Sequence, residues 1–99
     1  MEHNFIGRKV IIRGDRSGVF FGTLTEKDGK EVALANCRRL WYWDGAASIS
    51  HLAVDGTTAP DHCKFTVAVD EIIITDVIEI IPCTIEVAKS IEGTKEWKR

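Results

Sequence analysis

A chain of 99 residues, 44% apolar and 28% charged, is long enough for one modest core and too apolar to stay disordered. Its formal charge of −2 excludes bulk attraction to nucleic acid or to an anionic membrane, so any anion must be met by a local patch. No apolar run approaches the roughly 18 residues of a membrane span, and Met1-Glu2-His3-Asn4 lacks the basic-then-apolar form of a secretion signal; a cytoplasmic protein with no membrane partner is expected.

Lys9–Arg13 reads as a short strand with Val10 and Ile12 on one face, ended by the turn formers Gly14-Asp15-Arg16-Ser17-Gly18. Val19–Glu26 resumes strand character, and Gly22 within it predicts a bulge or sharp bend. Lys27-Asp28-Gly29-Lys30 carries the Asp-Gly signal of a tight hairpin. A third strand runs from Glu31 to about Trp43, with a break near Ala35-Asn36.

Asp44 is placed to cap a helix over residues 45–54, in which Ile49, Leu52 and Ala53 recur at helical spacing. Residues 55–61 form a loop. Lys64–Val69 alternates, which predicts Phe65, Val67 and Val69 facing inward. Ile72–Ile81 is nearly all β-branched around Thr75-Asp76: two strands, or one bent strand. Thr84 caps a last helix, Ile85–Ile91, that Gly93 ends, and a tail with Trp97 follows.

The sum is a single domain over residues 1–99, mainly β: strands about 9–43, a helical insertion about 45–54, strands about 64–81 and a C-terminal helix about 85–91. The expected fold is a small, bent antiparallel barrel of the SH3-like or Sm-like kind with two short helices. The first 35 or so residues, a basic strand followed by Gly22-Thr23-Leu24, Asp28-Gly29 and Val32-x-Leu34, resemble an Sm-like barrel.

Cys37, Cys63 and Cys83 are odd in number, far apart and without a C-x-x-C pair, so they read as reduced, buried thiols. His62 and Cys63 are neighbours, and neighbours on a strand point to opposite faces. Neither a metal nor a cofactor is expected.

The segment that raises a functional question is Arg38–Ser50, RRLWYWDGAASIS. Strand alternation places Arg39, Trp41 and Trp43 on one face and Arg38, Leu40 and Tyr42 on the other, so each face mixes an arginine with aromatics. In one reading Trp41 and Trp43 are core, Arg39 lies over them and Arg38 makes a surface ion pair. In the other, Arg38 or Arg39 forks onto phosphate oxygens, Trp41, Tyr42 or Trp43 stacks on a base, and Ser48 or Ser50 adds a hydroxyl. Asp44 counts against an anion at the helix start, since it would occupy those amides. Arg13 and Arg16 add positive charge if their turn folds over this surface, and Trp97 docks on its own barrel or on a neighbouring subunit.

Ser48, Ser50 and His51 lie close to Asp44, but no G-x-S-x-G is present, so no catalytic residue is assigned and an enzyme is not expected. The acidic Asp70, Glu71, Asp76 and Glu79 oppose a basic first half, an asymmetry that can drive subunits together; a homo-oligomer is expected.

The block Arg39–Ser50, with His3-Asn4-Phe5-Ile6-Gly7 before the first strand and Cys63-Lys64-Phe65 later, resembles a family of small tailed-phage and prophage proteins. Their shared pattern is R-[IL]-W-Y-W-x-G-A-A-S-[IL]-S, and the likeness runs through nearly the whole chain. The resemblance implies a phage protein acting in the bacterial host, with counter-defence as its context. By analogy of context and chemistry, the expected function is non-catalytic sequestration of a nucleotide immune signal, of the cyclic-nucleotide or cyclic-ADP-ribose type. Two alternatives stand beside it: an inhibitor that binds a host protein through Trp41, Trp43 and Trp97, or a small barrel that binds RNA or single strands.

Overall fold

The computed structural model describes residues 4–98, so His3 and Arg99 lie outside the described residues. In chain order the elements are β1 (Lys9–Gly14), β2 (Val19–Asp28), β3 (Glu31–Tyr42), α1 (Ile49–Asp55), a 3₁₀ turn (Pro60–His62), β4 (Lys64–Phe65), β5 (Val69–Ile74), β6 (Val77–Pro82) and α2 (Ile85–Gly93). All six strands pair antiparallel in the order β4-β3-β2-β1-β6, and β5 joins β4 in pairing with β3.

The expected bend follows from this order. Ile74 ends β5 at one edge of the sheet and Val77 begins β6 at the other, with only Thr75-Asp76 between them. Three residues of chain reach about 11 Å at most, whereas the edges of a flat sheet would stand roughly 19 Å apart across four strand spacings. The sheet therefore curls until its edges approach. It remains open, because no ladder joins β5 to β6 among the described residues.

Curling gives two apolar layers. Val10, Ile12, Phe20, Leu24, Val32, Leu34, Cys37, Ile74 and Val77 fill the concave side. Ile11, Phe21 and Leu40 on the convex side pack under Leu52 and Ala53 of α1 and Val87, Ala88 and Ile91 of α2. This is why Val10-Ile11-Ile12 and Phe20-Phe21 run as continuous apolar residues: both faces of those strands are covered.

Local signals set the turns. Asp28 pairs with Glu31 across Gly29-Lys30, with Gly29 at φ 59° as a tight hairpin requires. Gly22 faces the bulge that the sequence predicts, but the extra residue sits on β3: Phe21 pairs with Arg38 and Thr23 with Ala35, while Asn36 has φ 50°. A Cβ on Gly22 would stand 3.0 Å from the Ala35 carbonyl oxygen, so the close strand approach needs glycine there.

Three expectations are corrected. The first helix starts at Ile49, not near residue 45, because Ser48 rather than Asp44 is its cap and accepts from the His51 N–H. Lys64–Val69 does not form one alternating strand; β4 ends at Phe65, and Val67 and Val69 are exposed. Trp43 does not share a face with Arg39 and Trp41: β3 ends at Tyr42, and Trp43 packs on the convex cluster. The second helix does begin at its Thr84 cap, whose hydroxyl accepts from the Val87 N–H.

Candidate functional site: the aromatic end of β3 and the C-terminal tail

The bulge at Asn36 decides what the two arginines do. Before it, even-numbered Val32 and Leu34 point into the barrel; after it, odd-numbered Cys37 does, and Leu40 turns to the helices. Arg38 therefore falls on the helix side and Arg39 on the barrel side.

Arg38 is buried, and four of its N–H groups are committed to carbonyls. Nε donates to Thr66 O at 2.8 Å, one terminal nitrogen to Ile91 O and Thr94 O at 2.6 and 2.8 Å, and the other to Phe65 O at 3.0 Å. Burial pulls its pKa below the usual arginine value, and the nearby Glu96 charge opposes that pull. Its guanidinium ties the end of α2 and the tail to β4, which corrects its expected role as a phosphate ligand. No fork remains for a ligand.

Arg39 is half-buried. Its guanidinium lies 4.4 Å from the Phe20 ring centroid and donates to Ser17 O at 2.6 Å. Beyond it Trp41 is 64% exposed, so Trp41 is not core. Tyr42, on the other face, is 48% exposed. The Trp-Tyr-Trp run thus divides three ways, with only Trp43 serving the core.

The Asp44-Gly45 step locks this end of β3 to the following loop. Gly45 has φ 80°, and a Cβ there would stand 2.7 Å from Ala59 N and 2.8 Å from Thr58 N. Its carbonyl accepts from Thr58 N at 3.2 Å, while the Asp44 carbonyl accepts from the Thr57 hydroxyl. Only glycine permits that backbone contact at that φ.

Ser48 is engaged as a helix cap and Ser50 is exposed in the first turn of α1. His51 accepts from Ala47 N–H through Nδ1 at 3.0 Å and faces Asp55 through Nε2 at 3.5 Å. Arg13 pairs with Glu79 at 3.0 Å on the barrel wall. Arg16 is exposed in the β1–β2 turn, where its amide donates to Asp76. The expected site residues do not gather into one cradle.

A different cluster does form. The Glu96 backbone makes a parallel bridge to Phe65, and Trp97 N–H donates to Phe65 O at 2.8 Å, so Trp97 docks on its own barrel. Lys64 Nζ lies 5.3 Å from the Trp97 ring and 5.7 Å from that of Tyr42, a cation between two aromatics. Against Trp97 opens a cavity of about 750 Å³, lined by Pro60, Asp61 and Cys63 and by the tail residues Lys95, Glu96, Trp97 and Lys98; Lys64 and Tyr42 lie outside this lining. Lys98 pairs with Glu96 at 3.3 Å; Lys64 and Lys95 have no carboxylate partner among the described residues.

Sequence reading located Trp97 and Tyr42 but passed over Lys64 and Lys95. The available signal was the Lys-Glu-Trp-Lys tail beside Cys63-Lys64-Phe65, and only the parallel bridge brings the two together. Burial pushes the Cys37 and Cys83 thiols up to about 12, which keeps them neutral and inert. Among the described residues no group of three or more His, Cys, Asp or Glu side chains is placed to hold a metal, and no helix is long and apolar enough to cross a membrane.

Curated proteins compared with the chain gave no match. The model of the family described as "Domain of unknown function (DUF6948)" matches residues 7–91, which takes in every strand and nearly all of α2, and the chain belongs to that family.

Proposed function

We propose that the protein is a non-catalytic binder of a small phosphate-bearing nucleotide, held in the cavity by the Trp97 ring and Lys95, with Lys64 adding charge against that ring. The observation that carries this reading is Trp97, which lines a cavity of about 750 Å³, a volume within the range of small-ligand sites, with Lys95 in the same lining and Lys64 5.3 Å from its ring. A base has a π face to stack on an indole, and ammonium groups meet phosphate as point charges.

The resemblance to small tailed-phage proteins makes an immune signal in the host cytoplasm, cyclic-nucleotide or cyclic-ADP-ribose, the first ligand class to test. Sequestration by a homo-oligomer belongs to the same proposal. Calorimetry of the full chain against cyclic mononucleotides, cyclic dinucleotides and cyclic ADP-ribose is expected to give saturable heat with one of them. Trp97→Ala and Lys64→Ala should each weaken it by about tenfold, the value of one base stack or one charged hydrogen bond. Uniform absence of heat and of thermal shift overturns the reading.

Trp41 favours a second reading, in which this large exposed indole anchors a host protein. In the same calorimetry, Trp41→Ala leaves nucleotide heat unchanged. If it abolishes capture of a stoichiometric host partner while nucleotides give no heat, the second reading replaces the first.

A further inference from the structure

We propose that the groove between α2 and the start of β1 is a second binding site, for a small organic anion with an apolar body. It shares no lining residue with the Trp97 cavity, so the two readings stand or fall separately.

The groove encloses about 410 Å³, toward the small end of ligand-sized cavities. One side is a single helical face, Ile85, Ala88, Lys89 and Glu92, at the i, i+3, i+4, i+7 spacing. The other side is Arg8 and Lys9, held in place by backbone bonds. Leu24 N–H donates to Arg8 O at 3.0 Å, and Cys83 N–H donates to Lys9 O at 3.0 Å. The frame is therefore fixed by the sheet and not by the ligand.

The lining divides by chemistry. Buried Ala88 and Cys83 form an apolar floor, and burial keeps the Cys83 thiol neutral. Ile85 is 73% exposed, the most exposed of the large apolar side chains, although α2 packs on the sheet through Val87, Ala88 and Ile91. Its place is on the groove wall, where an apolar body would cover it.

Charge then selects an anion. Arg8, Lys9 and Lys89 face one carboxylate, Glu92, which is paired with Lys9. Arg8 and Lys89 have no carboxylate partner among the described residues, and the Arg8 guanidinium lies 5.3 Å from the Phe5 ring centroid. Two cations with no carboxylate partner beside an exposed isoleucine suit a carboxylate, sulfonate or phosphate on a hydrocarbon or aromatic body. A purely polar anion leaves Ile85 uncovered, and a neutral apolar molecule leaves the cations without an anionic partner.

The test uses octanoate as probe, with acetate and 1-octanol as its two halves, followed by amide NMR shifts of the full chain. Octanoate is expected to give saturable shifts confined to the neighbourhood of Arg8, Lys9, Thr84, Ile85 and Lys89. Acetate and 1-octanol should bind at least about tenfold more weakly. Arg8→Gln with Lys89→Gln, and separately Ile85→Ser, should each weaken octanoate by about tenfold. All three positions are exposed, so melting temperature should hold, and Trp97→Ala should leave octanoate binding unchanged. Shifts that do not saturate, that map to the Trp97 cavity, or that persist at wild-type affinity in both variants overturn the proposal.

Discussion

Arg38 and Arg39 are adjacent, chemically identical and differently employed. Arg38 donates to four carbonyls, of which Phe65 O and Ile91 O also accept from the Trp97 and Thr94 amides, while Arg39 lies over Phe20 with one bond to Ser17 O. Removing Arg38 takes four charge-assisted bonds from where α2 and the tail meet β4 and leaves Thr66 O and Thr94 O without that donor, so Arg38→Ala should cost roughly 3–5 kcal/mol in urea unfolding. Arg38→Lys keeps the charge but loses the planar fork and should recover less than half of that loss. Arg39→Ala should cost about 1 kcal/mol. Equal losses at the two positions would remove the distinction drawn here. The two-faced character of this segment was legible in its residues. Which guanidinium remained for a ligand was not, because an inserted residue at Asn36 reverses the alternation on which the reading rests.

Among the elements, the β1–β2 turn is held by Asp76, which leads into β6, the strand paired with β1. The Asp76 carboxylate accepts from Arg16 N–H at 2.8 Å, from Ser17 N–H at 3.0 Å and from the Ser17 hydroxyl at 2.5 Å. The Ser17 hydroxyl bond, first, and then these amides hold its pKa below the ordinary carboxylate value of 3.8. A carboxylate with a lowered folded pKa contributes stability that is complete above its unfolded pKa and is lost as pH falls through the folded one. The wild-type chain should thus lose stability below about pH 4, and Asp76→Asn should flatten that acid limb while lowering stability at neutral pH. An unchanged acid limb in Asp76→Asn would refute the assignment. The strands and turns themselves were readable: Asp28-Gly29 made its hairpin, Thr84 its cap and Thr75-Asp76 its break. Asp44 misled because Ser48 takes the same role four residues later, and the Asp44 carboxylate accepts instead from the adjacent Gly45 N–H at 2.9 Å.

Over the whole molecule the C-terminal tail acts as a clasp. Arg38 holds Thr94 O, the Glu96 backbone bridges to Phe65, and Trp97 rests against Lys64. A chain ending at Thr94 should remain folded, because the tail adds nothing to either apolar cluster, yet lose roughly 1–3 kcal/mol for one backbone bond and one aromatic contact. Chemical denaturation measures that loss, and the same truncation should abolish any binding that depends on the Trp97 cavity. Retained nucleotide heat in the truncated chain would move the proposed site away from the tail.

The sequence by itself determined the order of the elements: five or six short strands, two short helices, a tight hairpin and a bulge or bend at Gly22. Those follow from signals a few residues long, namely alternation, turn formers and caps. Only the tertiary structure decided which arginine is buried, that Val67 and Val69 face outward, and that Lys64 lies between Tyr42 and Trp97. Each depends on pairing between distant segments, where a single extra residue shifts the register and turns every later side chain to the opposite face.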